Sequence, residues 1–468
     1  MDTLQHCFPS NPRQFLNELP ETLDETYERI LRGINKAQKD EARRLLQCLT
    51  VAVRPLRVEE LAELLAFDFQ ASSSGGIPML KEDWRWDDQE EAVLSTCSSL
   101  IAIVPSGGSL VVQFSHFSVK EYLTLPRLAR SHGDVSRFHI DLEPAHTILA
   151  QACLGTLLRL DEHAGNSGSK GFPLVEYAAR HWVDHARFEK VSSRLPDGMD
   201  DLFDSSKPHF AAWLRVHDMD INWRYFSRVP PHGDGSPLYY AALCGFYDLA
   251  ERLIMKHPEQ VNARGGRILA PLPAALSKRH FGVANLLHKY GAVVDVRGLI
   301  ERTPLHKASI FGDVDIMRWL LNHSADPNAQ DDGRRTPLHI AALNMKPEAV
   351  QVLLEHNADV NSRSDQGITP LYNIISYADH HPEGKIVDVI QRLLEHGADP
   401  NACDHDHSTP LHRASSRGLL EVARVLLNYG ANVDEKDGEG RTPFQIASET
   451  GYHKITKLLL EHGTVPQS

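Results

Sequence analysis

Apolar residues recur at helical spacing through most of the chain and switch to a strand-like pattern only once. Leu23, Tyr27, Ile30 and Leu31 form one apolar face, with Thr22 placed to cap the helix. Asp24 and Glu25 fall in its first turn, where the helix dipole favours negative charge. A second helix is predicted over 40–53, with Ala42, Leu45, Leu46 and Leu49 inward and Pro55 as its stop, and a third over 58–65. A Ser/Gly loop over 71–76 leads to Trp84 and Trp86 and to a helix near 90–97. Residues 100–104 and 110–114 read as strands around Ser106-Gly107-Gly108, a hairpin signal, and 116–123 closes this segment as a helix. Helices follow over 143–160, with proline early, and from Pro173 to Trp182, with Leu174, Tyr177, Ala178 and Trp182 on one side. A Gly/Ser loop over 161–171 separates them, and 210–214 is a further helical stretch before the Pro- and Gly-rich 225–235.

From about residue 230 the pattern becomes periodic. Thr303-Pro304-Leu305-His306 returns as Thr336-Pro-Leu-His339 and Thr369-Pro-Leu-Tyr372 at intervals of 33, as Thr409-Pro-Leu-His412 after 40, and as Thr442-Pro-Phe-Gln445 after 33 more. Ser236-Pro-Leu and Ala270-Pro-Leu keep nearly the same beat upstream, and Tyr290-Gly-Ala, His396-Gly-Ala-Asp and Tyr429-Gly-Ala-Asn mark the unit ends. This ladder, from about 230 to 462, resembles the ankyrin repeat. The resemblance implies a mainly α fold, a solenoid of about seven repeats with a concave protein-binding face. Within a unit, Thr303 caps the first helix, Pro304 sits in its first turn, His306 bonds back to the cap, and Gly312 turns the chain into the second helix. Histidines at these positions therefore need no catalytic or metal role. Three departures stand out: Ala270 in place of the cap threonine, Ser324 and Asn357 in place of glycine, and seven extra residues in repeat five around 377–384.

The helices and hairpin before residue 130 read as a winged helix. Residues 19–31, 54–61 and 114–123 are similar to the winged-helix segment of fungal NACHT–ankyrin proteins, STAND-type NTPases related to NOD-like immune receptors. Domain collections name that segment after GPI inositol-deacylase, although no hydrolase signature is visible here. The resemblance implies an array that senses a ligand and a winged helix that transmits the event to an NTPase. It also implies that the NTPase would precede residue 1. A P-loop, G-x-x-x-x-G-K-[ST], is not found: Gly384-Lys385 continues with Ile386, and 165–171 lacks the spacing. The chain is thus expected to be the C-terminal part of such a receptor. The expected division is a residual segment at 1–19, a winged-helix-like domain at 20–130, a helical connector or cap at 131–229 and the ankyrin array at 230–468.

Composition narrows the partners. A chain of 468 residues exceeds one ordinary core, and its formal charge of −13 disfavours non-specific nucleic-acid binding. The candidate recognition helix at 58–66 carries Glu59, Glu60 and Glu63, which repel phosphate. No apolar run reaches membrane-spanning length and no signal peptide is evident. Six scattered cysteines suit reduced thiols, so a cytoplasmic setting is expected, with nuclear entry left open.

Candidate chemistry is sparse. The finger Cys403-Asp404-His405-Asp406-His407 invites a zinc reading, but alternating residues on one hairpin rarely reach one tetrahedral centre. His380 and His381 lie at the far end of the helices, so a variable finger tip is the preferred reading, with no metal or cofactor. Arg334 and Arg335 could pair with an acidic partner, and Trp319 is either local packing or an exposed anchor. The partner-binding candidates are therefore Arg334, Arg335, His405, Asp406, His407 and Trp319. The leading function is a non-catalytic protein-interaction scaffold, with an NTPase-bearing relative among the partners considered. A DNA-binding regulator and an unrecognised hydrolase in 1–229 are the alternatives; no G-x-S-x-G, HExxH or paired-carboxylate constellation supports the latter.

Overall fold

The computed structural model describes residues 23–69, 77–85, 88–97, 99–131, 133–160, 172–222, 235–377 and 382–463. Thr22, the loop at 71–76, Trp86, the loop at 161–171, residues 225–234 and His380 with His381 lie outside them. Two compact units emerge, one running to Gln260 with Gly265–Arg267, the other from Ile268 with Val261–Arg264.

The first unit opens with α1 (Leu23–Gly33), α2 (Lys39–Val51), β1 (Leu56–Arg57) and α3 (Val58–Leu65). A small antiparallel pair, β2 (Phe67–Asp68) and β3 (Met79–Leu80), precedes α4 (Gln89–Cys97). The hairpin is β4 (Ile101–Ser106) and β5 (Ser109–Phe114), and α5 (Phe117–Thr124) and α6 (Pro126–Ala129) follow. Ser106 pairs with Ser109 across the two-residue turn Gly107-Gly108, whose φ of 57° and 86° suit glycine at both places. β1 adds to the hairpin through Leu56 and Val112, making the three-stranded order β1-β5-β4. Two residues are too few to show alternation, which is why the sequence pattern does not reveal β1. With its helices and wing, this part is a winged-helix domain.

Three inward assignments differ in the structure. Tyr27 and Leu31 are buried, but Leu23, in the first turn of α1, is 61% exposed. Ile30 and Leu49 are only partly buried, and α2 ends at Val51, short of Pro55.

The connector consists of α7 (Leu142–Leu157), α8 (Val175–Ala186), α9 (Pro196–Leu202) and α10 (Pro208–Val216). Its join to the winged helix includes a buried polar part. One carboxylate oxygen of Glu63 accepts the Leu174 amide at 2.7 Å at the start of α8, and the other accepts Arg85 at 2.8 Å. Glu60 accepts Arg54 through two bonds of 2.6 and 2.8 Å and the Arg57 amide at 2.8 Å. Burial alone would raise the Glu60 carboxyl, but the Arg54 and Arg57 bonds outweigh it and hold it below the usual range. For Glu63 burial prevails, and its carboxyl sits above the usual range. The Arg54 guanidinium also lies 5.0 Å from the Tyr177 ring, and the Tyr177 hydroxyl accepts the Val53 amide at 3.2 Å. These glutamates therefore knit α3 into the unit, and Glu63 ties it to α8.

Aromatic packing closes the other end of this unit. Trp213 donates its indole N–H to the Ala179 carbonyl at 3.0 Å and packs with Trp182, Phe203, Phe210 and Tyr240. Tyr240 belongs to the helix pair α11 (Pro237–Cys244) and α12 (Tyr247–Lys256). α10 thus packs against α11 through Phe210 and Tyr240.

The second unit holds six helix pairs of ankyrin type. They are α13 (Pro271–Ser277) and α14 (Phe281–Lys289), α15 (Pro304–Phe311) and α16 (Val314–Asn322), and α17 (Pro337–Leu343) and α18 (Pro347–Glu355). Next come α19 (Pro370–Ser376) and α20 (Glu383–Glu395), α21 (Pro410–Arg417) and α22 (Leu420–Asn428), and α23 (Pro443–Glu449) and α24 (His453–Gly463). Ala270 supplies no side-chain cap to α13. Gly291, Gly397 and Gly430 share a φ of 86°, and Ser324 and Asn357 take the same left-handed region at 67° and 61°.

A ladder of asparagines ties each unit to the next. Asn328 accepts the Asp359 amide at 2.7 Å and donates to the Asn357 carbonyl at 3.3 Å. Asn262, Asn361 and Asn401 repeat both bonds. Asp295 occupies one rung. Its Oδ2 accepts the Asp326 amide at 2.9 Å, but its buried Oδ1 has no hydrogen-bond partner. A carboxylate lacks the amide donor, and by the same register the carbonyl it would serve is that of Ser324. Burial pushes the Asp295 carboxyl above its ordinary range. A raised carboxyl favours folding most below the unfolded value, near 3.9, and the benefit is lost as pH rises. Asp295→Asn is expected to stabilise the array by roughly 1 kcal/mol at pH 7, with the gain shrinking toward pH 4, measured by urea unfolding at both pH values.

Candidate functional site

First helices and the fingers between repeats carry the recurring polar bonds of the array. Three first helices carry the signature histidine, and in each it does two things. The Thr303 amide donates to His306 Nδ1 at 3.2 Å, and His306 Nε2 lies 3.0 Å from the Arg335 carbonyl in the next finger. A carbonyl can only accept, so the proton sits on Nε2 and the ring is neutral. His339 makes the same pair with the Thr336 amide and the Ile368 carbonyl, and His412 with Thr409 and the Arg441 carbonyl. Each ring therefore caps its own helix and holds the following repeat. The second-helix histidines His323, His356, His396 and His462 instead place Nδ1 on the carbonyl four residues back.

Four fingers turn around a short polar side chain. Asp331 accepts the amides of Gly333 and Arg335, both at 3.0 Å, and Asp437 accepts those of Glu439 and Arg441 at 3.0 and 2.8 Å. Asp404 does the same for Asp406 and Ser408, and Ser364 for Gln366 and Ile368. Neighbouring fingers touch through backbone bonds, such as Asp365 to the Gly333 carbonyl at 3.0 Å and Gly438 to the Asp406 carbonyl at 2.7 Å.

The sequence candidates fall into three groups on this frame. Arg334 is exposed at its finger tip with φ 56°, and His407 is exposed with φ 56°. His405 and Asp406 are also exposed, although a Cβ on Gly367 would fall 2.6 Å from His405 Cδ2, so that ring lies over the adjoining finger. Arg335 is partly committed inside its own finger, donating to Asp331 at 2.9 and 3.1 Å. Trp319 is not an exposed anchor: it is buried, donates its indole N–H to Asn285 at 2.8 Å and stacks on His323 at 4.0 Å. Its indole thus packs locally on α16.

Two further corrections concern neighbouring predictions. The extra residues of repeat five do not all form a loop, since α20 spans 13 residues against nine in α18. Glu383 at its start accepts the Glu421 amide at 2.8 Å and so caps α22, whose own N-cap Leu419 has no capping side chain. Glu60 and Glu63 are not an acidic face repelling phosphate. They are buried in ion pairs, and α3 is buried at every position but Glu59, leaving no face to enter a groove.

Tyr372, which replaces the signature histidine in repeat five, was given no role by sequence. Its hydroxyl donates to Asp404 and accepts Arg413 at 2.6 Å, so the cross-repeat link becomes a Tyr–Asp–Arg cluster. The signal was present as the one TPLY among TPLH motifs. Among the described residues no three His, Cys, Asp or Glu side chains come together as a metal would need. Cys48, Cys97, Cys153 and Cys244 are buried and form no disulfide among the described residues, and burial pushes the Cys48 and Cys97 thiols up to about 12. No described helix is long and apolar enough to cross a membrane.

Comparison with known proteins agrees with this geometry. Residues 272–364 and 375–468 match the model for ankyrin repeats (3 copies), and residues 27–134 match that for the GPI inositol-deacylase winged helix domain. The chain is 32% identical over 302 residues to azaphilone pigments biosynthesis cluster protein L of Monascus ruber, covering 60% of this chain and 61% of that protein. It is 36% identical over 72 residues to alpha-latrocrustotoxin-Lt1a of Latrodectus tredecimguttatus, covering 15% of this chain and 5% of the toxin. The chain thus spans less than two thirds of the length of these relatives.

Burial lowers the pKa of all three signature histidines, that of His339 to about 4. A lowered histidine contributes stability that is present above about pH 6.5 and is lost as pH falls through the folded value. Gln445 shows a neutral substitute, accepting the Thr442 amide at 2.8 Å. Urea unfolding of the array should therefore weaken between pH 7 and 5, by up to about 1.4 kcal/mol per pH unit for each histidine. The triple variant H306Q/H339Q/H412Q should be less stable at pH 7 but respond less to pH; an unchanged pH response would count against the neutral-bridge account.

Proposed function

We propose that the chain is a non-catalytic protein-interaction scaffold, the sensing and coupling part of a NOD-like-receptor-type protein of fungal, cytoplasmic origin. The carrying observation is the division of labour within the array. Signature residues are consumed by caps and cross-repeat bonds, whereas Arg334, His405, Asp406 and His407, which differ from finger to finger, are exposed. Ankyrin repeats support the interaction role, and the NACHT-associated type of winged helix supports the receptor reading. Similarity to a Monascus ruber protein supports a fungal source. In this reading the first unit is a rigid coupling module, since its glutamates and aromatic cluster join winged helix, connector and first helix pair. An NTPase-bearing relative is a natural partner for such a module.

Capture of partner by the intact chain should fall about tenfold or more in R334A/H405A/D406A/H407A, with its melting temperature unchanged. Calorimetry with magnesium and ATP should give no binding heat. Tight nucleotide binding by the isolated chain would overturn the scaffold reading.

A further inference from the structure

The fifth residue from each first-helix cap points to one repeat. These residues are Ala274, Lys307, Ile340, Asn373, Arg413 and Ile446, and all but the two cations are buried. Arg413 is satisfied by the Tyr372 hydroxyl at 2.6 Å and by Asp404 at 3.8 Å. Lys307 is half-buried and takes part in no ion pair among the described residues, and desolvation is the sole influence on its ammonium, pushing its pKa down. A cation withdrawn from water without a counter-charge disfavours the fold, so its presence needs another reason.

The finger leading into the same helix carries a second, independent feature. Where other fingers present Asp, Gly or His, this one presents Leu299 and Ile300, exposed by 62% and 48%. Ile300 and Glu301 are held at φ 55° and 57°, a left-handed backbone that is an outlier for a β-branched residue. Phe311, at the far end of α15, is 46% exposed as well. The nearby anions are largely engaged: Asp331 binds Arg302 and Arg335, and Glu301 lies 3.7 Å from Arg297, leaving Asp332 exposed at the next finger.

We infer that repeat three is the specificity-determining part of the array and takes an acidic, apolar peptide segment of a protein partner. A partner carboxylate would meet Lys307 Nζ, and apolar side chains would cover Leu299, Ile300 and Phe311. This rests on the interaction reading above and adds the chemistry of the partner. Charge complementarity selects a carboxylate, and the exposed apolar residues favour a peptide over a nucleic-acid backbone.

The test is panning a random displayed peptide library on the full chain and measuring a synthetic peptide from the enriched set. Enriched sequences should combine Asp or Glu with Leu, Ile or Phe, and Lys307→Met should weaken binding by about tenfold or more. The peptide should also protect Lys307 from acetic anhydride. Lys307→Met should itself melt roughly 2–4 °C higher, since it removes a half-buried cation that has no counter-charge, so weaker binding cannot be ascribed to unfolding. Enriched peptides without carboxylates, binding indifferent to Lys307→Met, or displacement by single-stranded RNA would each overturn the inference. Peptide binding lost in R334A/H405A/D406A/H407A but kept in Lys307→Met would overturn it while leaving the interaction reading intact. Absence of any enrichment over bare support would sink both.

Discussion

A neutral imidazole shared between two repeats is the constraint on which the array depends. Nδ1 of His306, His339 or His412 must accept from the cap threonine while Nε2 donates to a carbonyl in the following finger. One ring therefore sets the start of a helix and the distance to the next unit. Because both nitrogens are used and the ring is buried, a second proton removes the cap and places an uncompensated charge inside. Where the histidine is absent, the structure finds another link. Tyr372 reaches Asp404 and Arg413 across repeats, and Gln445 keeps the cap alone at the end of the stack.

The first unit solves a different problem with buried carboxylates. Glu60 and Glu63 lie on one short helix, yet their partners come from the preceding loop, from Arg85 and from the start of α8. Burying two acids is tolerable because each accepts several hydrogen bonds. The result is that the helix at the groove-reading position of a winged helix is walled in by its own chain. Its role follows from that: α3 is a structural member, and the surfaces open to partners lie elsewhere.

The fold was largely legible because its signals are local and repeated. The 33-residue beat, the cap threonines, the Gly107-Gly108 turn and the apolar stripes of α2, α3 and α8 each speak for a few neighbouring residues. The strand β1 was not legible, since its two residues acquire meaning only beside β5. The surface candidates were partly legible. Arg334 and the His405–His407 tip stand out as variation on a repeated frame, but exposure cannot be read from residue type. Trp319 could be read as packing or as an anchor and is packed, whereas Leu299 and Ile300 look like core and face solvent.

By itself the sequence determined that there would be repeated helix pairs, where each would begin, and that a winged helix would precede them, because capping and turn formation are settled within a few residues. Tertiary structure alone decided which charges remain available. Glu60 and Glu63 were consumed by arginines and two backbone amides, Arg335 by Asp331 and Arg413 by Tyr372, while Lys307 was half-buried with no counter-charge. Ion pairing depends on which distant residues a fold brings within a few ångströms, and that information is not carried by any one stretch of the chain.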